Sequence, residues 1–97
     1  MAYRYEFGAA AARDLEKLTR RNHALLMALV TTHIPALLAD PLAAGEKKKG
    51  HLAHVRAYPF KADNVAYRLV YQVEEDVVTL LAIGPHDEAY AKAARRR

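Results

Sequence analysis

The hydrophobic period of this chain changes twice, and that change limits the folds open to it. Residues 3–7 alternate aromatic with charged side chains, Tyr3, Tyr5 and Phe7 on one side and Arg4 and Glu6 on the other, the period-two pattern of a half-buried strand. From Gly8 the apolar residues fall at helical spacing, and from about residue 51 they alternate again. The expected class is α+β, element order βααβββ with a short C-terminal helix. A helix pair should pack on one face of a sheet in which the N-terminal strand lies beside an otherwise consecutive meander.

Residues 9–20 are rich in strong helix formers, with Ala11, Leu15 and Leu18 at helical spacing and Arg13, Asp14, Glu16 and Lys17 between them. Asn22 can cap a second helix over residues 23–39. Its apolar stripe reads as Leu26, Leu29, Val30, His33 and Leu37. Leu25, Met27, Ile34 and Leu38 fall outside that stripe, so apolar surface surrounds most of this helix and a second packing surface is expected. Pro35 removes a backbone donor inside it at about 3 kcal/mol and predicts a kink over residues 31–35. Asp40-Pro41 ends the helix, and residues 42–50, with Gly45, Gly50 and three consecutive lysines, read as a loop.

Strands are expected over residues 51–60, 65–74 and 77–84, connected as hairpins through Pro59-Phe60-Lys61-Ala62-Asp63-Asn64 and through Glu75-Asp76. From His86 the chain turns helical again. Asp87 and Glu88 stand at its start and Arg95, Arg96 and Arg97 at its end, the placement a helix dipole prefers.

Ninety-seven residues make one domain, spanning positions 1–97. Cysteine is absent, so neither disulfides nor thiolate metal sites enter, and no histidine cluster has metal-ligand spacing. No cofactor motif is present. With no apolar run long enough for a membrane span or an export signal, the cytoplasm is the expected compartment and no membrane partner is expected. The formal charge of +4 is concentrated rather than spread. Residues 46–73 hold Lys47, Lys48, Lys49, Arg56, Lys61 and Arg68 against only Glu46 and Asp63, while the flanks nearly cancel. A phosphate backbone is the commonest partner for such a patch; a solvated basic surface is the plainer alternative.

Ala66-Tyr67-Arg68-Leu69-Val70-Tyr71-Gln72-Val73 closely resembles the central strand of RelE toxins. Around it the chain is similar to the RelE/ParE superfamily in order: an aromatic first strand, two helices, a Leu37-Leu38-Ala39-Asp40-Pro41 helix end, a Gly-containing basic loop, then antiparallel strands. Ile83-Gly84-Pro85-His86-Asp87-Glu88-Ala89-Tyr90 is similar to the segment where these toxins carry a basic residue followed by a tyrosine. The resemblance implies a curved antiparallel sheet with two N-terminal helices on one face and a concave, basic opposite face. It also implies a separately encoded antitoxin as partner.

Cleaving RNA without a metal uses the ribose 2′-hydroxyl against its own phosphate, and needs a proton acceptor, a proton donor and positive charge on the phosphate. By resemblance Arg68 matches the family's phosphate-contacting arginine, and its planar fork suits a phosphate gaining charge. A strand arginine paired with a surface carboxylate is the alternative. His86 and Tyr90 are four apart and share a face if a helix begins near His86. Relatives commonly have arginine near His86, so the change either moves acid chemistry onto an imidazole or weakens the site. Tyr90 stacks or hydrogen-bonds with a base, or packs under the C-terminal helix. His54 and Arg56 alternate with Ala53, Val55 and Ala57, which puts the polar pair on one face and the small residues toward the core; His54 is then a second acid–base candidate and Arg56 a substrate-binding one. Lys47, Lys48 and Lys49 fit backbone binding as point charges. His23 and His33 lie on apolar helices and read as packed.

The sequence therefore points to a toxin that cleaves messenger RNA in the ribosomal decoding site, with mRNA and ribosomal RNA as partners. Two alternatives stay open: a non-enzymatic ParE-like toxin of DNA gyrase, and a degenerate homologue that binds antitoxin without catalysis.

Overall fold

The computed structural model describes residues 3–20, 22–47, 55–85, 89 and 93–95. Strand β1 (Arg4–Phe7) leads into α1 (Ala9–Thr19). Helix α2 (His23–Ala28), a π-helical turn (Leu29–His33) and α3 (Ile34–Ala39) succeed one another without leaving helical backbone. Helix α4 (Pro41–Ala44) and the short β2 (Glu46–Lys47) precede β3 (Arg56–Ala62), β4 (Val65–Glu74) and β5 (Val77–Pro85). The strands run in the order β1-β5-β4-β3-β2. β1 is parallel to β5 and the other pairs are antiparallel, so the N-terminal strand does lie beside a consecutive meander. The stretch read as a loop over residues 42–50 instead begins with most of α4 and then β2.

One face of the sheet carries the main core. Phe60 of β3, Tyr67, Leu69 and Tyr71 of β4, and Val78, Leu80 and Ile83 of β5 pack with Ala11, Leu25, Leu29 and Leu37 of the helices. The buried stripe of the second helical rod is Leu25, Leu29, Ile34 and Leu37, while Met27 and Val30 are about half exposed, which corrects the stripe read from the sequence. The π-helical turn is the reason. Its bonds span five residues, as in Ile34 N–H to the Leu29 carbonyl, so it carries an extra residue and rotates α3 relative to α2. Thr31 Oγ1 donates to the Met27 carbonyl at 2.6 Å. Pro35 therefore follows a widened turn that overlaps the stretch where a kink was expected. Asn22 caps α2 as expected, its Oδ1 accepting from Leu25 N–H at 3.0 Å, and its Nδ2 donates to Asp63 at 3.2 Å.

β1 accompanies β5 only as far as Leu80. Past that point the backbone of β5 needs other partners on this side. Ile83 N–H donates to the carboxylate of Asp14 at 3.3 Å, which explains a buried acid on α1. At the other end of the meander, Asp63 and Asn64 both have positive φ, 52° and 64°, the signature of a two-residue type I′ turn. Hence β3 runs through Ala62 rather than ending at Phe60. Counting outward from this turn, Pro59 and Arg68 form a pair that exchanges no backbone hydrogen bonds, so the missing donor of Pro59 faces the outer edge.

Candidate nucleic-acid interface

Strand parity assigns each side chain of the meander to a face. Leu69 is registered with Tyr58, Tyr67 with Phe60 and Tyr71 with Arg56, so Arg56, Tyr58 and Phe60 share the helix-covered face with the tyrosines of β4. Arg68 is registered with Pro59, Ala66 with Lys61 and Val70 with Ala57. These occupy the opposite face. A bulge in β5 between its pairings with Val70 and Tyr71 brings Leu81 and Ala82 both to that side, against Val55, Val70, Ala89 and Ala93.

The opposite face thus has three zones. Its centre is apolar, covered by the buried Ala89 and Ala93, both helical residues. One end is acidic, a depression of about 630 Å³ lined by Glu6, Glu74, Glu75, Val77 and Thr79. The other end is basic, a shallow depression of about 350 Å³ lined by Pro59, Phe60, Lys61, Ala66 and Arg68. Among the described residues, the face that the resemblance implies to be basic is polarised, acidic at one end and basic at the other.

Arg68 is half-buried and donates from Nη1 to the Tyr67 carbonyl at 3.0 Å; among the described residues no carboxylate pairs with it. It is registered with Gly84, two residues ahead of His86 in sequence. Arg56 lies elsewhere. Its Nη1 donates to the Gly45 carbonyl at 3.3 Å beside Tyr71, on the helix side opposite to Arg68, so the expectation that the small residues beside Arg56 point to the main core and Arg56 away from it is corrected. The cause is that Val55 and Ala57 are buried on the opposite face, so small residues pointing to a core did not mean the main core. Lys47 is exposed and registered with Arg56. His54, His86, Tyr90, Lys48 and Lys49 lie outside the described residues.

Tyr71 anchors the approach to the basic loop. It is fully buried, its hydroxyl donates to the Pro41 carbonyl at 2.6 Å, and a Cβ at Gly45 would collide with its ring. Burial pushes the phenol up to about 12, against the opposing pull of the Arg56 guanidinium and a Gly45 backbone hydrogen bond. His33 packs as expected: its Nδ1 is 3.1 Å from the Tyr58 hydroxyl and its ring lies against Phe60, and burial lowers its pKa. His23, read as packed, is exposed. Lys61, counted in the basic segment of the sequence but given no face there, shares the face of Arg68; the two-residue turn at Asp63-Asn64 fixes that parity.

The family model described as ParE-like toxin of type II bacterial toxin-antitoxin system matches residues 9–93. Among solved structures, the chain is similar to the Mycobacterium tuberculosis toxin–antitoxin complex RelBE2, at 25% identity over 88% of this chain and 99% of that one, TM-score 0.68. It is similar to E. coli toxin RelE in the free state, solved as a double arginine-to-alanine mutant, at 30% identity over 99% and 98%, TM-score 0.65. It is also similar to the conserved hypothetical protein HP0894 of Helicobacter pylori, at 25% identity over 90% and 97%, TM-score 0.63. No curated protein matches it. With most of its length inside the family model and the expected sheet topology, the chain belongs to the ParE-like toxins of type II bacterial toxin–antitoxin systems.

Proposed function

We propose that this toxin is a metal-independent endoribonuclease that cuts messenger RNA in the ribosomal decoding site. The observation that supports this reading is Arg68, a guanidinium bordering a shallow depression with no carboxylate partner among the described residues. In the proposed reaction the 2′-oxygen bonds to the adjacent phosphorus and the bond from phosphorus to the 5′-oxygen breaks. The 2′-hydroxyl proton goes to a base, the leaving oxygen takes a proton from an acid, and Arg68 neutralises the charge gathering on the phosphate oxygens. The sequence candidates for acid and base are His54 and His86, with Tyr90 against a base. Lys47, Lys48 and Lys49 dock on ribosomal RNA. The antitoxin covers the exposed apolar stripe of Met27 and Val30 or the basic end of the sheet.

One observation favours a second reading, a non-enzymatic toxin that binds DNA gyrase. The residues of β3 on the face of Arg68 are Ala57, Pro59 and Lys61, none of them an imidazole or a carboxylate. Brief induction in bacteria, followed by mapping of RNA 5′ ends and a parallel gyrase supercoiling assay, separates the two. New 5′ ends within translated messages support the nuclease; lost supercoiling with intact messages overturns it.

A further inference from the structure

We propose that the open edge of β1 is an interface with a second copy of this chain, the two β1 strands pairing antiparallel about a two-fold axis at Tyr5. This contact is independent of whether the toxin acts on ribosomes or on gyrase. Arg4 N–H donates to the Asp76 carbonyl at 2.8 Å and Gly8 N–H to the Leu80 carbonyl at 2.9 Å. Residues 4, 6 and 8 therefore bond inward to β5, and the N–H and C=O groups of Tyr3, Tyr5 and Phe7 point outward from the sheet. β1 is the last strand on this side, and Arg4, Tyr5 and Glu6 are exposed. Helix α1 turns inward over β5, where Asp14 meets Ile83, and leaves the edge clear.

Charges on an edge strand usually discourage pairing, but Arg4 and Glu6 carry opposite signs on one face and make this edge complementary to itself. In an antiparallel pair centred on Tyr5, Tyr5 meets its own copy and Tyr3 meets Phe7 in hydrogen-bonded pairs. Arg4 then falls opposite Glu6 of the second copy, twice, in the pairs whose side chains lie closest. A slip of two residues sets Arg4 opposite Arg4 or Glu6 opposite Glu6, so charge fixes the register. Glu6 lines the depression it shares with Glu74 and Glu75, and among the described residues none of these three carboxylates has an ion pair. The second copy's Arg4 supplies the cation. Arg4 can keep its 3.5 Å contact with Asp76, since a guanidinium has donors for two carboxylates. On the helix side the ring of Tyr5, 45% exposed, gains its symmetry mate as a neighbour. The contact closes by its own symmetry, giving a dimer and not a filament; so few residues make it weak and rapidly exchanging.

The test is sedimentation equilibrium of the purified full chain up to the millimolar range, at low and high salt, with amide exchange followed residue by residue. Wild type should dimerise with a dissociation constant on the order of 0.1 mM, more weakly as salt rises, and the Tyr5 and Phe7 amides should gain protection with concentration. Arg4→Glu and Glu6→Arg each set like charges opposite one another and should each weaken self-association on the order of tenfold. An equimolar mixture of the two variants should recover at least the wild-type affinity, because every cross-strand pair is again of opposite sign; damaged folding could not give that recovery. Tyr5→Pro, tolerated where a strand nitrogen faces outward, should abolish the dimer while the melting temperature holds. A monomer throughout, a dimer untouched by the three variants, or a mixture no stronger than either variant alone would overturn the proposal. So would β1 amides protected only when the cognate antitoxin is added, which assigns the edge to that partner.

Discussion

Replacing Tyr71 with phenylalanine should change both the stability of the protein and its dependence on alkaline pH. The ring stays in the core, but the Pro41 carbonyl loses a donor at 2.6 Å, which costs about 1–2 kcal/mol at neutral pH. The pH dependence comes from the phenol, raised from 10.0 to about 12 by burial. Between those values the unfolded chain releases this proton while the folded chain retains it, so the unfolded state binds fewer protons and stability falls as pH rises. Two pH units correspond to about 2.7 kcal/mol. This contribution is fully present below pH 10 and is lost on passing through about 12. Tyr71→Phe lacks it. Urea unfolding of both proteins from neutral pH into that window should show wild type ahead at first, its lead shrinking by about 2–3 kcal/mol and changing sign. The ultraviolet difference between wild type and variant should reveal one phenol ionising near 12. A stability difference that stays constant with pH, or a phenol ionising at its ordinary value, would refute the reasoning.

Asp14→Ala should cost about 1–3 kcal/mol, because Ile83 N–H loses its carboxylate acceptor where β1 no longer flanks β5; chemical denaturation reads this directly. Glu75 sits at φ 54° in the β4–β5 turn, so Glu75→Gly should stabilise by about 0.5–1 kcal/mol through relief of the left-handed backbone, measured as a higher melting temperature.

Parity and period carry much of the fold. The aromatic alternation of residues 3–7, the helix formers after Gly8 and the run around Arg68 each produce the element they imply, and the change of period requires the first strand to rejoin the meander. Face assignment is harder. Arg56 reads as facing away from the core in the sequence because small residues alternate with it, and that rule fails when both faces of a sheet are covered: Val55 packs with Ala89 and Ala93, and Ala57 is buried on the same face. Lys61 is hidden by Pro59, which looks like a turn residue in sequence yet sits within an edge strand where its nitrogen needs no partner. The helical stripe is displaced by the π turn, whose extra residue no 3.6-residue template contains. Arg68 is legible because the motif around it fixes both the strand and the exposed side.

The central claim is that Arg68 works on a message phosphate. Its most direct test is single-turnover cleavage of a defined message in a stalled ribosomal complex by wild type and by Arg68→Ala. Loss of one transition-state contact of about 3–4 kcal/mol should slow cleavage on the order of a hundredfold to a thousandfold, with folding and antitoxin binding retained. Cleavage by Arg68→Ala at the wild-type rate, or no cleavage by the wild type itself, would contradict the account.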